Sequence, residues 1–518
     1  MGERSTPGEG PQGASAEGET PQGVSAQGGS PQDSSAEGET TGAIDYGKTA
    51  GFLSIGVGLT GVVTYLYFVI ASHVLSKPDY GQITVLWSAV FITVSTLYRP
   101  IDQLLSRHIS EHLVRGESVS EPMRVAAKIQ LGLALTFAVV ALALRGPIED
   151  SLLEGNTTLY WIFFSAVLFY AASYYARGFL AGHRRFGLFT ALILSESFFR
   201  TLFAVLVAVG LASGQNAVAV GIVAAPSLSL LVVPLAFARR AAGGPADPAA
   251  PERQAGGAAG PGRQAGGPAA PAAREREAEE AAGIQFSLAH GGWFAAAVLL
   301  IMFSEQVFLN AGPLIVRGLE GAAAAGFIFN VLMIARAPLQ LFQAVSTSIL
   351  PHLTSLHHSD DPESDREFHD SIRLVLRAIA AFTAVVAVVV IIAGPQLMQI
   401  AFSKKFTYER VGLLLVTAGM GLYLSAVTIN QACLAQGQVR RSSVRWIGCA
   451  VFFVAWCLLP FITDTARRVE VGFAITAAVL LGLLVYIFRH PHTRPEDVPD
   501  PGSSEELEAQ LAAAEEGV

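Results

Sequence analysis

The sequence predicts an all-α polytopic membrane protein, with twelve transmembrane helices in two six-helix lobes around a central cavity. Three observations carry that expectation. The 518 residues are 52% hydrophobic and only 15% charged, too little charge to cover a soluble protein of this size. Uncharged apolar stretches recur, clearest at 51–72, 81–98, 158–176 and 471–488. A hydrocarbon layer about 30 Å thick is crossed by roughly 20 such residues in one helix. Finally, a polar segment at 239–283 separates the stretches into six and six.

Taken in order, spans are expected at 49–72, 81–103, 125–144, 157–176, 187–211 and 216–238, and then at 285–311, 322–345, 374–398, 411–436, 446–463 and 469–488. Either long segment, 187–211 or 285–311, has room for a re-entrant piece. The domain plan is a tail at 1–46, a first lobe at 47–238, a linker at 239–283, a second lobe at 284–488 and an acidic tail at 489–518. The tail at 1–46 holds three imperfect decapeptides, PQGASAEGET, PQGVSAQGGS and PQDSSAEGET. Rich in Gly, Ser, Pro and Glu, they bury too little apolar surface to offset ordering, so disorder is expected. The linker repeats RQAGG and ends in REREAEE.

A faint internal echo relates the halves. The passages 75–91 and 316–332 each join a polar turn to an even-numbered span through an aligned Gly81 or Gly326. Parallel repeats about an axis along the membrane normal are a recurrent transporter plan. Positive charge gives the orientation. Arg107, Arg115, Arg124, Arg177, Arg184, Arg185, Arg440, Arg441 and Arg445 follow spans two, four and ten. Lys404, Lys405, Arg467 and Arg468 oppose them and are outnumbered. Both termini and the linker are therefore expected in the cytoplasm. Trp161 and Trp446, near helix ends, fit interfacial anchors, and Cys433, Cys449 and Cys457 fit small core residues.

Polar groups inside apolar spans are site candidates, because charge in hydrocarbon is costly. Glu196 and Arg200 are four apart on span five, a spacing that allows an ion pair. They either line a water-filled cavity or lock helices together. Arg99 and Asp102 flank Pro100, which can bend span two; Arg99 reaches the cavity or the headgroups. Glu305, Gln306 and Asn310 cluster in span seven, with Glu305 and Asn310 not obliged to share a face. Arg336, Gln340 and Gln343 form one stripe on span eight. A guanidinium grips phosphate oxygens in a bidentate fork, and amides read hydroxyls, so this stripe suits a phosphate-linked sugar. Asn430 and Gln431 on span ten fit capping or helix packing. Pro226, Pro234 and Pro395 interrupt spans six and nine.

The letters exclude several classes. No metal-ligand spacing, Gly-rich phosphate loop or catalytic constellation occurs, so neither an enzyme nor a cofactor is expected. No basic, aromatic-interleaved patch points to nucleic acid. Asn156-Thr157-Thr158 spells a glycosylation triplet. The 29 Arg against five Lys, with abundant Ala and Gly, point instead to a GC-rich bacterial genome and its cytoplasmic membrane.

The passage LSKPDYGQITVLWSAVFITVSTLYRPIDQLLSRHISEH at 75–112 resembles the first conserved stretch of the bacterial polysaccharide-biosynthesis flippases. In these an external turn reading glycine-proline-glutamate-tyrosine-glycine precedes an apolar helix. INQACLAQGQVRRSSV at 429–444 resembles their tenth span, and 297–352 resembles spans seven and eight. This family is grouped with the multidrug and toxin extrusion carriers and the lipid II flippase. The resemblance implies outward movement of undecaprenyl-pyrophosphate-linked oligosaccharide, with Arg200, Arg336 and Arg99 holding the pyrophosphate. It also implies pathway glycosyltransferases or a polymerase as partners. Family members often carry Asp in span seven, where this chain has Glu305. Two other readings stay open: a multidrug or metabolite exporter of the same architecture, and a non-transporting scaffold for envelope synthesis.

Overall fold

The computed structural model describes residues 55–234, 296–333, 336 and 362–490. The repeat tail, the linker, the acidic tail beyond 490, and the site candidates Gln340 and Gln343 lie outside the described residues. Everything described is helical or turn, in an all-α polytopic membrane protein. Eleven helical segments among these residues are long and apolar enough to cross a membrane.

Helix α1 (Ile55–Val74) leads into a turn built by capping. Ser76 adopts an extended backbone and its hydroxyl oxygen accepts from the Asp79 amide at 3.3 Å, while its own O–H donates to the Asp79 carboxylate at 2.6 Å. Pro78 in the first turn needs no amide donor there, so α2 (Lys77–Leu97) starts at once. At Tyr98 the chain breaks and restarts as α3 (Arg99–Val114) with Pro100 in its first turn. The sequence expectation ended this span at 103. Instead α2 and α3 continue to Val114, because the polar 101–114 stretch contains no helix breaker and Ile101, Leu105 and Ile109 bury one face.

Next come α4 (Ser120–Ala143) and, after a short helical turn and a π-turn over Ile148–Leu152, α5 (Thr157–Gly182). Asn156 caps α5 by accepting from the Leu159 amide at 3.1 Å. Helix α5 runs six residues past its expected end, so Arg177 belongs to the helix rather than to a loop. Helix α6 (Phe186–Ala208) is continuous, with no re-entrant piece, and α7 (Gly214–Ser229) holds Pro226 and ends in a 3-10 turn. The later helices are α8 (Ala296–Glu320), the shorter α9 (Ala322–Met333), α10 (Pro362–Phe402), α11 (Arg410–Ala435), α12 (Val439–Leu458) and α13 (Thr465–Arg489).

Extensive packing joins α3 to α5, α6 to α7 and α5 to α7; separately it joins α10 to α11, α11 to α13 and α12 to α13. Small residues set the close crossings, as in other membrane bundles. A Cβ on Gly178 of α5 would come 2.8 Å from the Asp102 carbonyl oxygen of α3. Residues 55–234 and 296–490 meet at the end where α1 passes into α2. There Gly81 lies against the Ala322 backbone, and a Cβ on Gly326 would sit 3.1 Å from the Gly81 Cα. The two glycines that the sequence echo aligns thus pack on each other.

The three cysteines are buried and free, as expected of core residues. Trp161 is 43% exposed, in keeping with an interfacial anchor, but Trp446 is fully buried. Its indole N–H donates to the Asn430 side-chain oxygen at 2.9 Å, and Ser442 bonds the same oxygen. Asn430 therefore ties α11 to α12, the packing role foreseen for it.

Candidate functional site

Two arginine-centred clusters form from helices of each half. In the first, Glu196 and Arg200 on α6 do not pair with one another, contrary to the expectation from their spacing. Glu196 is gripped by the Arg177 guanidinium of α5 at 2.5 Å and by the Ser173 hydroxyl, while Arg177 also lies 4.4 Å from the Tyr174 ring centre. An enclosed ion pair is stabilised by further partners, and α5 supplies the Ser173 hydroxyl to the carboxylate and the Tyr174 ring to the guanidinium from one face. Arg200 is freed for other contacts. Its terminal nitrogens donate to the Tyr170 oxygen at 3.0 Å and to the Thr64 oxygen at 3.4 Å. Its guanidinium sits 4.4 Å from the Trp87 ring centre and 5.9 Å from that of Phe91, a pair of rings stacked at 3.9 Å. An aromatic face is a good seat for a guanidinium away from water.

In the second cluster, Arg336 donates to the Asn310 side-chain oxygen at 3.3 Å, and Asn310 donates to the Gln306 side-chain oxygen at 3.0 Å. Arg336 also approaches Phe329 at 5.8 Å. Asn310 and Arg336 thus stand together, while Glu305 turns elsewhere, to Arg99 of α3 at 3.9 Å. That pair joins residues 55–234 to residues 296–490.

Arg200 and Arg336 are not in direct contact. Rings connect them: Trp87 packs on Phe68 at 5.0 Å, and Phe68 on Phe329 at 4.6 Å. Within this region four guanidiniums (Arg99, Arg177, Arg200, Arg336) stand against Glu196, Glu305 and Asp102, the last within electrostatic reach of Arg99 and Arg177. The balance is positive. Arg177, Arg200 and Arg336 each keep a buried Nε–H without a hydrogen-bond partner among the described residues. An unmet buried donor is costly, so such groups mark places where a ligand oxygen or water is welcome.

Sequence reasoning missed Arg177, placed in a loop because the apolar run ends at 176. It also missed Trp87 and Tyr170, which look like ordinary apolar residues of a span. Tyr170, Ser173, Tyr174 and Arg177 recur at the three-to-four-residue spacing of one helix face, the signal that would have found Tyr170 and Arg177, though not Trp87.

No family model matches this chain, and no curated protein matches it by sequence. Solved structures do. An inward-facing multidrug resistance MATE family transporter of the MOP superfamily superposes with a TM-score of 0.58 at 11% identity, over 85% of this chain and 97% of that one. An outward-facing transporter of the same description gives 0.53 at 15% identity, over 85% and 95%. A MOP superfamily transporter from Pyrococcus furiosus, described as having a binding pocket of reversed polarity that suggests a different function, gives 0.52 at 13% identity, over 85% and 96%. This chain has the fold of the MATE transporters of the MOP superfamily.

Proposed function

We propose that this chain is an exporter working by alternating access, and that its substrate is an amphipathic molecule carrying negative charge. Residues 47–238 and 284–488 are its two moving lobes, related by the pseudo-symmetry that the Gly81–Gly326 contact suggests; equivalent residues meet where such an axis passes. The observation that carries the substrate class is the surplus of guanidiniums with free Nε–H groups on both sides of one aromatic bridge. Phosphate and carboxylate oxygens satisfy such forks, and the rings accept an apolar portion. Cationic solutes would meet uncompensated repulsion. The matched multidrug transporters favour export of a free amphiphile. The Pyrococcus furiosus relative in fold offers a precedent for a pocket whose polarity, and function, depart from theirs.

A second reading is an oligosaccharide flippase that moves undecaprenyl-pyrophosphate-linked glycan outward across a bacterial cytoplasmic membrane, both termini inside. The resemblance at 75–112 and 429–444 favours it, and a pyrophosphate is an anion that the Arg200 or the Arg336 guanidinium can hold. The purified protein in liposomes tests both readings, against a panel of anionic and cationic amphiphiles and lipid-linked glycans. Movement of anions but not cations supports the proposal, and movement of only the glycan lipids selects the flippase. Movement of cations alone would overturn both.

A further inference from the structure

The α1–α2 end of the bundle carries a set of contacts that the substrate site does not use. The Tyr80 hydroxyl donates to the Asn330 side-chain oxygen, and the Asn330 amide donates to the Tyr408 oxygen at 2.9 Å. All three residues are buried, and they come from α2, α9 and the α10–α11 turn. Lys405 in that turn donates to the backbone carbonyls of His73 and Leu75 at 3.3 and 2.8 Å. Those carbonyls lie at the carboxyl-terminal end of α1, where a cation is favoured. Glu154 accepts from the Gln82 amide and pairs with Arg317 of α8 at 3.2 Å.

Two further observations set these contacts apart from ordinary packing. Glu154 (φ +56°) and Ser403 (φ +71°) adopt left-handed backbone in the turns that supply Glu154, Lys405 and Tyr408, and Gly321 (φ +90°) does so beside Ala322, against which Gly81 packs. For Glu and Ser that conformation is strained and persists where the surroundings hold it. Moreover, each set crosses between residues 55–234 and residues 296–490: Tyr80 to Asn330, Lys405 to His73 and Leu75, and Glu154 to Arg317. These crossing bonds would therefore break together if the halves parted at this end, while Asn330–Tyr408 and Gln82–Glu154 hold the partners in place within each half.

We propose that the Tyr80–Asn330–Tyr408 relay, the Lys405 clamp and the Gln82–Glu154–Arg317 pair form one latch, which holds this end shut and must open for substrate to leave. Polar bonds suit the task. They are directional and reversible, and once parted they hydrate at little net cost, whereas an apolar seal would not. Gly81 and Gly326 let the backbones approach closely enough for the relay to form. The latch rests on the alternating-access reading above.

Its test reads access, not transport, so it can fail or succeed independently of the substrate assignment. Thr84 lies fully buried one turn inside Gly81. A Thr84→Cys reporter is labelled with a membrane-impermeant maleimide in whole cells and in inverted vesicles, with the parent chain measuring the background of the native cysteines. Asn330→Ala and Glu154→Lys should each raise the labelling rate about tenfold, the shift expected from losing one hydrogen bond or ion pair between the halves. Adding Arg317→Glu to Glu154→Lys should bring it back down. An increase confined to whole cells also places the latch outside. Unchanged labelling on both sides of the membrane would overturn the latch. So would an equal rise at Ala166→Cys, a buried position in α5, because it would signal general loosening.

Discussion

At the level of single residues, the sequence marked Glu196 and Arg200 but joined the wrong pair. Spacing of four along a helix permits an ion pair; it does not weigh that pair against partners from a neighbouring helix. Arg177 wins Glu196 because Ser173 and Tyr174 on α5 complete its surroundings, and Arg200 gains an aromatic seat on Trp87. Periodicity marks the α5 face that carries Arg177 but not the carboxylate it holds, and it does not mark the Trp87 seat at all. Two outcomes follow. Arg177→Ala strands the Glu196 carboxylate and should destabilise the protein by about 3–5 kcal/mol. The Arg177→Ala, Glu196→Ala double variant should lose less, which thermal unfolding in detergent will measure. Arg200→Ala should leave the unfolding temperature nearer the parent value while lowering transport of an anionic substrate about tenfold or more, as loss of a charge-assisted contact would.

At the level of elements, hydropathy located the helices well and their ends poorly. The span expected at 81–103 continues as α3 to Val114, and the one expected at 157–176 continues to Gly182. A hydropathy window stops where side chains turn polar, whereas a helix stops where its backbone is capped or broken. Capping signals at Ser76-Lys77-Pro78-Asp79 and at Asn156 were present and give the observed starts. Trp446 shows the converse: a residue type typical of interfaces is buried because Asn430 offers its N–H a partner. Close crossings are equally hidden, since one glycine looks like another. Gly178 has the α3 backbone against it, while Gly187 has nothing within 4 Å. Gly178→Leu should therefore lower the unfolding temperature and yield markedly, and Gly187→Leu should leave both near the parent values.

For the whole molecule, the all-α membrane architecture was legible from composition and run length, because a bilayer demands long apolar helices of nearly any sequence. The internal echo at Gly81 and Gly326 was legible too, and the packing of these glycines on each other gives it a physical meaning. What the letters could not give was the meeting of Arg99 with Glu305, or of Phe68 with Phe329, across two segments more than 200 positions apart. Such contacts depend on how one half docks on the other, which no local pattern encodes. The proposed orientation has a simple check. Reporters fused after residues 115 and 260 should be active on the cytoplasmic side, and one after 150 on the outside; the reverse pattern would invert the latch.

The most direct measurement is the initial rate at which the reconstituted protein moves two amphiphiles built on one scaffold, one ending in a phosphate and the other in a quaternary ammonium. The arginine-lined site predicts transport of the phosphate compound, largely lost in the Arg200→Ala, Arg336→Ala double variant, and little transport of the ammonium compound. Faster movement of the ammonium compound, or a rate for the phosphate compound that ignores both arginines, would contradict it.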